Sequence, residues 1–201
     1  TRQLGTSGHD YGYAVAVDSS GNAFVTGYTP GGLDGNSFQG SNTPDTFLVK
    51  YNSSGTKQWT AQVGEGAYNV GYDVTTDSSG NAYVTGYTRG TIDGLTNQGG
   101  VDMFLMKYNS SGTRQWSRML GTSEDNYGNG IALDSSNNIY VTGYTEDGLD
   151  GNSSAGEGDI FLVKYNSSGT KQWTVQHGTS ANDYGKKIAI DAKGYIYLLA
   201  D

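Results

Sequence analysis

The chain contains YNSSGTKQW at residues 51–59, YNSSGTRQW at residues 108–116 and YNSSGTKQW again at residues 165–173. The tryptophans that end these segments, Trp59, Trp116 and Trp173, are therefore 57 residues apart. Self-similarity at a fixed period is typical of solenoids and propellers, in which one supersecondary unit is copied and stacked. The repeat indicates the architecture of the protein before any single residue indicates a chemistry.

Each copy of the repeat contains four short segments rich in β-branched and aromatic residues, which is the pattern of strands. In the first copy they read GYAVAVD, NAFVTGYT, TFLVKYN and QWTAQVG. Two of the links, DSSGN and NSSGT, are tight turns in which Gly supplies a positive φ and Asp or Asn binds the backbone two residues on. No window shows a sustained helical period. The sequence predicts an all-β chain of four-stranded antiparallel blades.

Four strands per repeat in a radial arrangement is the plan of a β-propeller. The repeat is longer than in common propellers, and the extra length lies between the second and third strands. Here the first copy has ten residues, from Asn36 to Asp45, and the later copies have eight. A length change of this kind marks a surface loop. A β-solenoid is the alternative, but its strands are parallel, whereas tight turns require antiparallel hairpins.

We expect one propeller domain, with repeats at about residues 5–63, 64–120 and 121–177 and a partial repeat at 178–201. The opening TRQLG aligns with a fourth strand and the closing YIYLLAD with a second strand. This predicts three complete repeats plus partial blades at both ends. Because a closed ring generally needs four to eight blades, we expect an excised part of a longer chain, a homo-oligomer that closes the ring, or end strands that share an incomplete fourth blade.

The composition excludes several classes of protein. Only 34% of the residues are hydrophobic, while glycine contributes 32 and tyrosine 16, as in a turn-dense fold. No apolar run approaches the length of a membrane span. The absence of cysteine excludes disulfides and cysteine-ligated metals. The net charge of −8 argues against nucleic acid as a partner, since nucleic-acid binding requires a basic surface.

The long loops between the second and third strands are acidic. They hold one base, Arg89, and nine acids: Asp34, Asp45, Asp93, Asp102, Glu146, Asp147, Asp150, Glu157 and Asp159. Alternate connections of an antiparallel blade emerge at opposite ends, so the turn bases Lys57, Arg114 and Lys171 are expected on the other face. The sequence predicts an electrically two-faced molecule whose acidic face attracts cations or basic partners, or simply keeps the protein soluble.

The ordered blocks GxxxxDYGxAxAxD, SSGNAYVTGYT and DxFLxKYNSSGTxQW resemble the bacterial β-propeller repeat family known as SBBP, over essentially the whole chain. The resemblance implies an extracellular or cell-surface scaffold without a shared catalytic activity. The segment YNSSGTKQW is also similar to the tryptophan-docking repeat of quinoprotein-like propellers. That likeness implies a tryptophan that packs between blades.

Candidate ligand-binding residues recur at fixed positions of the repeat. They are the loop aspartates Asp34, Asp93 and Asp150 and the tyrosines Tyr11, Tyr127 and Tyr184. The second copy has Val70 at the tyrosine position, which interrupts that set. The three tryptophans are either sugar-stacking platforms or packing between blades, and their fixed place in every blade favours packing.

Hard oxygen ligands suited to calcium occur in the third long loop, where Asp147, Asp150 and Asp159 are the candidate metal ligands. The spacing of an EF-hand loop is absent, so the sequence predicts no cofactor, with calcium as the alternative. Asp45, Asp102 and Asp159 directly precede third strands. They either bind a cation or accept hydrogen bonds from loop amides, and the second interpretation is favoured.

Catalysis has little support in the sequence. The two histidines, His9 and His177, occupy non-equivalent positions in the repeat, and no hydrolase, metalloprotease or phosphate-binding motif is present. We expect a non-catalytic extracellular or bacterial surface scaffold that binds a protein or glycan through its acidic long-loop face. The alternatives are a purely structural spacer, a glycan- or calcium-binding propeller, and a propeller lyase or hydrolase.

Overall fold

The computed structural model describes residues 1–38 and 43–201 and is built from short antiparallel strands. The first sheet consists of β1 (Tyr11–Val17), β2 (Ala23–Thr29), β3 (Asp45–Tyr51) and β4 (Lys57–Val63). The second consists of β5 (Asn69–Thr76), β6 (Ala82–Thr88), β7 (Asp102–Tyr108) and β8 (Arg114–Leu120). The third consists of β9 (Asn126–Leu133), β10 (Ile139–Thr145), β11 (Asp159–Tyr165) and β12 (Lys171–His177). A two-stranded sheet follows, with β13 (Gly185–Ile190) and β14 (Ile196–Ala200).

The strand order in each complete sheet is the order along the chain, and all pairs are antiparallel. The described residues contain no α-helix, only a short 3₁₀ turn at Leu149–Gly151. The prediction of an all-β protein with four-stranded antiparallel blades is confirmed. Residues 39–42, which belong to the predicted ten-residue insertion, lie outside the described residues.

Turn chemistry closes the hairpins as the sequence predicts. The Asp18 carboxylate accepts hydrogen bonds from the backbone N–H groups of Ser20 and Asn22, both at 2.9 Å. In the other turn, the Asn52 side-chain oxygen accepts from the N–H groups of Ser54, at 3.1 Å, and Thr56, at 2.8 Å. Both patterns recur in the later repeats. Local side-chain bonds of this kind fix the register of each hairpin.

The sheets pack side by side through their first strands. Strand β1 contacts β5, β5 contacts β9, and β9 contacts β13, so these four strands form the inner side of the assembly. Buried cores lie between neighbouring sheets and contain Phe24 and Phe104 in one case and Tyr83 and Phe161 in the other. This is the packing of successive propeller blades, and the ring is not closed within the described residues.

Two of the three repeated tryptophans join neighbouring sheets. Gly112, in the turn of the second sheet, lies so close to Trp59 that an added Cβ would sit 2.7 Å from the indole ring. Gly169 of the third sheet is placed against Trp116 in the same way, at 3.0 Å. The predicted packing between blades is confirmed for these two residues, whereas Trp173 remains 38% exposed.

The start of the chain differs from the prediction of partial blades at both ends. Residues 1–5 align with fourth strands, but the first strand begins at Tyr11. Even so, Arg2 Nε donates to the Gly55 carbonyl at 2.7 Å, as Arg118 Nε does to the Gly169 carbonyl at 2.6 Å. Within the described residues, the strands of a partial blade are those of β13 and β14.

Candidate functional site

Eight tyrosine side chains form a continuous line across all four sheets, at the end where first strands begin and second strands end. Successive ring centroids are 4.7 to 5.9 Å apart. We call this line the tyrosine row, and its members in order are Tyr11, Tyr28, Tyr13, Tyr72, Tyr87, Tyr127, Tyr144 and Tyr184. No single repeat builds this surface, because each supplies one to three rings.

The row contains the three tyrosines singled out in the sequence, Tyr11, Tyr127 and Tyr184. Val70 does not interrupt it, since Val70 is buried and Tyr72, two residues further along the same strand, brings its ring into line. Sequence reasoning missed the remaining members. A signal was available, because the second strand of each complete repeat reads TGYT, and its tyrosine enters the row in every case.

Two grooves follow the row. A groove of about 530 Å³ is lined by Tyr11, Tyr13, Tyr68 and Tyr72 together with Pro30 and other residues. A second groove of about 540 Å³ continues past Tyr72 to the rings of the third and fourth repeats. Tyr11 and Tyr13 are 47% and 48% exposed. The row therefore presents ring surface to solvent, not only to the interior of the protein.

Burial raises the pKa of several tyrosine hydroxyls within the row. Burial raises the pKa of Tyr72, and neighbouring tyrosine hydroxyls add to the effect. Burial and the nearby Glu146 carboxylate raise the pKa of Tyr144 to about 12. Tyr127 donates its hydroxyl hydrogen to the Asp125 carboxylate at 3.0 Å. The row thus combines aromatic rings with hydroxyl groups that can donate hydrogen bonds, as Tyr127 does.

The three candidate loop aspartates are all engaged in ion pairs. Each has a positive φ, between 53° and 56°, in the turn of its long loop. The pairs are Asp34 with Lys57, Asp93 with Arg114, and Asp150 with Lys171. Burial alone would raise the pKa of Asp34, but the contacts with Lys57 and Thr60 hold it below its usual value.

These pairs form because the long loop turns back along the fourth strand of its own sheet. Leu33 is buried, and its backbone N–H donates to the Gln62 side-chain oxygen at 2.9 Å. Leu149 is held by Gln176 in the same way, at 2.8 Å. Burial of the leucine brings the aspartate that follows it within reach of the base at the start of the fourth strand.

The prediction of an electrically two-faced molecule is therefore wrong. It assumed that each long loop stays at one end of its sheet, on the face away from the turn bases. The buried residue at the head of the loop instead draws the acids and the bases together. Three of the nine loop acids are neutralised by the side chains that were expected on the opposite face.

The aspartates that begin the third strands are buried and accept hydrogen bonds. Asp159 accepts from the Ala155 N–H at 2.8 Å and from the Gln176 side-chain amide at 2.7 Å. Asp102 accepts from the Gln98 N–H at 2.9 Å. The interpretation that loop amides bind these carboxylates is confirmed for both residues. In the second repeat, Met119 stands where the glutamine would be, and burial raises the pKa of Asp102.

The candidate metal ligands of the third loop serve different contacts. Asp150 pairs with Lys171, Asp159 is fully buried, and Asp147 is exposed and accepts the Gly148 N–H at 2.7 Å. Across residues 1–38 and 43–201, no three His, Cys, Asp or Glu side chains are grouped as a metal site. The structure does not bring the three predicted residues together.

The histidines lie apart in the fold. His9 lines the groove at Tyr11, and His177 ends β12, where its side chain is exposed. The described part of the chain also contains no helix with the length and apolar character required to cross a membrane.

The repeats match a known family of sequences. A family model described as SBBP, beta-propeller repeat, matches residues 1–34, 58–92 and 115–149, which together are more than half of the chain. Each match ends in the long loop that follows a second strand. The three matches therefore follow the repeat of the sheets.

Two curated proteins are similar to the chain over most of its length. An uncharacterised WD repeat-containing protein of Acanthamoeba polyphaga mimivirus is 28% identical over 83% of the chain and 16% of the relative. The regulatory protein FlaEY of Caulobacter vibrioides is 25% identical over 77% of the chain and 19% of the relative. The chain thus spans less than a fifth of either relative.

Among solved structures, a protein of unknown function from Bacteroides caccae covers 93% of the chain at 11% identity. The TM-score is 0.49, and the match covers 52% of that protein.

Proposed function

Since the chain belongs to the SBBP β-propeller repeat family, we propose that it is a non-catalytic scaffold that binds a protein or glycan at the bacterial cell surface or outside the cell. The observation that carries this proposal is the tyrosine row, a single surface to which every sheet contributes. A scaffold of nearly identical blades can bind through such a composite surface, because the repeat sets the spacing of its side chains.

Tyrosine is well suited to recognition. Its ring offers a large amphipathic surface with few rotatable bonds, so little conformational entropy is lost on binding. The exposed rings Tyr11, Tyr13 and Tyr68 lie beside each other at the first groove, and Tyr68 is 42% exposed. Exposed aromatic side chains clustered at one end of a fold are typical of binding surfaces.

The ion pairs reduce the number of loop carboxylates that are free to contact a ligand. Asp34, Asp93 and Asp150 are occupied by bases of this chain, so the proposed surface is centred on the tyrosine row and not on the acidic long loops as a whole. Glu146 stays exposed at the edge of the row, and its backbone N–H is bonded to the Asp125 carbonyl at 3.0 Å. Burial and the charges of Asp125 and Glu124 raise the pKa of Glu146.

The structural-spacer alternative is supported by the same ion pairs, since they tie loops to strands within one repeat. The two alternatives differ in their response to ligands. We suggest measuring retention of the native protein on a peptide array and a glycan array, beside a double variant, Tyr11→Ser with Tyr68→Ser. Retention of the native protein that the double variant loses would support binding. Equal retention of both on every array would contradict it and favour the spacer.

The proposal extends to self-association. On β1, Val15 and Val17 are 64% and 62% exposed, and on β14, Leu199 is 63% exposed. Homo-oligomers that cover these faces would have a mass in solution above the 21.3 kDa of one chain, which sedimentation analysis measures directly. A single species at the monomer mass at all concentrations would contradict this extension. Protease accessibility on intact cells tests the proposed location.

A further inference from the structure

Two neighbouring ring pairs of the tyrosine row are stacked with their faces together. The planes of Tyr127 and Tyr144 meet at 14° with ring centroids 4.8 Å apart, and those of Tyr11 and Tyr28 meet at 28° with centroids 4.9 Å apart. Every other neighbouring pair of the row is inclined by 43° or more. The stacked pairs are therefore the places where the π systems of two phenols face each other.

The backbone holds both stacked pairs in the same way. Tyr11 lies directly opposite Tyr28 in the ladder of β1 with β2, and Tyr127 lies directly opposite Tyr144 in the ladder of β9 with β10. Opposite residues of an antiparallel pair have their Cβ atoms close together on one face of the sheet. The strands also approach closely here, since an added Cβ on Gly143 would lie 1.7 Å from the Tyr127 carbonyl oxygen. The stacking is thus a consequence of strand register.

The second repeat has no pair of this kind. Val70 lies opposite Tyr87 in the ladder of β5 with β6, so Tyr87 has no phenol across from it. Its ring instead meets Tyr72 at 48° and Tyr127 at 63°. The chain therefore carries two repeats with a stacked pair and one repeat without it, which provides an internal control.

Stacked phenols are arranged for oxidative coupling. A one-electron oxidant converts a phenol into a phenoxyl radical, and the hydroxyl proton leaves with the electron. The unpaired electron then occupies the π system, including the two ring carbons next to the carbon that bears oxygen. Because its lobes point out of the ring plane, two radicals that meet face to face can form a carbon–carbon bond, whereas inclined rings overlap poorly.

The proton and the electron both have a route out of the row. Tyr127 donates its hydroxyl hydrogen to the Asp125 carboxylate at 3.0 Å, so this carboxylate takes the proton when Tyr127 is oxidised. Tyr11 and Tyr13 are 47% and 48% exposed, and they lose protons to solvent. Tyr144 is only partly exposed. Ring centroids 4.7 to 5.9 Å apart connect it to the exposed end, and electrons pass readily between rings this close.

We propose that Tyr11 with Tyr28, and Tyr127 with Tyr144, are dityrosine cross-link sites. The co-reactant is a one-electron oxidant, such as the high-valent haem of a peroxidase. Each link gives two electrons to the oxidant and releases two protons. One ring carbon next to the hydroxyl-bearing carbon on each side exchanges its bond to hydrogen for the new carbon–carbon bond, and both hydroxyls are regained.

These links have a structural consequence that does not depend on ligand binding. The chain contains no cysteine, so disulfides cannot connect its strands. A dityrosine between opposite strands closes a loop of the chain and restricts the unfolded state, as a disulfide does in other proteins. Oxidation should therefore raise the urea midpoint of the protein.

The test oxidises the whole chain with tris(bipyridine)ruthenium(III), generated by light and persulfate, in protein dilute enough to keep chains apart. Dityrosine is detected by its fluorescence. Linked peptides are identified by mass spectrometry after cleavage before aspartate, because an aspartate lies between the members of each pair, Asp18 in the first repeat and Asp134 in the third. A linked peptide is lighter than its two components by two hydrogen atoms, and fragment spectra assign the linked residues.

Tyr144→Phe is the test variant, since phenylalanine keeps the ring but cannot form a phenoxyl radical. Tyr195→Phe is the matched control, because Tyr195 is 63% exposed and lies outside the row. We expect the native monomer to contain both links. Tyr144→Phe should lose the link of the third repeat and keep that of the first, and Tyr195→Phe should keep both.

Three results would overturn the proposal. One is dityrosine found only between chains. Another is linkage of Tyr87 or Tyr195 as abundant as that of the stacked pairs, which would show that stacking does not direct the coupling. The third is addition of oxygen to Trp173, which is 38% exposed, with every tyrosine left unlinked.

Discussion

Met119→Gln is expected to stabilise the protein, because it supplies a hydrogen-bond donor that the second repeat lacks. In the first and third repeats, Gln62 and Gln176 donate to the buried aspartate at the start of the third strand, at 2.8 and 2.7 Å. Met119 lies opposite Phe104 in the same register. Asp102, fully buried beside it, accepts a backbone hydrogen bond from Gln98, the counterpart of the bond from Ala155 to Asp159.

The expected gain follows from two opposing terms. A hydrogen bond to a charged group contributes about 1.5–3 kcal/mol. Met119 is partly buried against the core between the first two sheets, and replacing its apolar atoms by an amide costs about 1 kcal/mol. The free energy of unfolding at neutral pH should therefore rise by about 0.5–2 kcal/mol.

The gain should depend on pH in a defined direction. Burial raises the pKa of Asp102, so the folded protein holds this proton more tightly than the unfolded chain. The stabilisation that protonated Asp102 gives the folded state is complete below the unfolded pKa of ~3.9 and is lost as the pH rises through the folded pKa. The amide added by Met119→Gln donates to the carboxylate form of Asp102, so it should stabilise the fold above the folded pKa of Asp102 and not in acid.

Urea denaturation of the native protein and Met119→Gln at pH 7 and at pH 4 measures both effects. Gln176→Met is the reciprocal control. It removes the donation to Asp159 and the contact with the Leu149 N–H, and it should lower the free energy of unfolding. The reasoning is refuted if Met119→Gln gives no gain at pH 7, or the same gain at both pH values.

Two further predictions concern the turns. Gly112→Ala should lower the free energy of unfolding by about 3 kcal/mol, since a positive φ of 85° costs ~1–2 kcal/mol and the contact with Trp59 adds overpacking. The control Gly94→Ala, with a φ of 75° and nothing within 4 Å, should lower it by only ~1 kcal/mol. Equal losses in urea denaturation would contradict the tryptophan contact. Burial alone would raise the pKa of Asp77, but hydrogen bonds from Asn81 and other groups lower it, so its stabilising effect is complete above ~3.9 and is lost as the pH falls through its folded pKa. Asp77→Asn should weaken the acid dependence of the urea midpoint, and an unchanged dependence would show that this turn is not responsible.

The hairpins were predictable from the sequence because local chemistry determines them. The hydrogen bonds that the Asn52 side-chain oxygen accepts and the positive φ of Gly55, at 76°, close a turn within a few residues. The alternating apolar segments on either side then pair in one register. The same segment occurs three times, so the same hairpin forms three times. The all-β class and the four-stranded blade could therefore be predicted without knowledge of distant contacts.

The course of the long loops was not predictable in this way, because it depends on burial. Whether Leu33 points outwards or into the sheet decides whether Asp34 faces solvent or Lys57, and no local pattern shows this. A signal was nevertheless present. A base follows the loop aspartate by 23, 21 and 21 residues in the three copies, as Arg114 follows Asp93, and opposite charges at a recurring separation indicate a contact.

The tyrosine row shows the same limit for the candidate site. Alignment by position compared Tyr11 with Val70 and indicated a break, although Tyr72, at a β-bulge between Gly71 and Asp73, brings its ring into line. A bulge interrupts the two-residue alternation of a strand, so the direction of this side chain does not follow from the sequence pattern. Only the packing of neighbouring sheets shows that Tyr13 and Tyr72 meet.

Nuclear Overhauser effects between tyrosine rings, in protein labelled only at tyrosine, test the central claim most directly. The claim is that sheets of successive repeats pack so that their tyrosines join into one row. Cross-peaks are expected between Tyr13 and Tyr72 and between Tyr87 and Tyr127, whose ring centroids are 5.3 and 4.9 Å apart in neighbouring sheets. Cross-peaks confined to pairs within one repeat, such as Tyr127 with Tyr144, would contradict the claim.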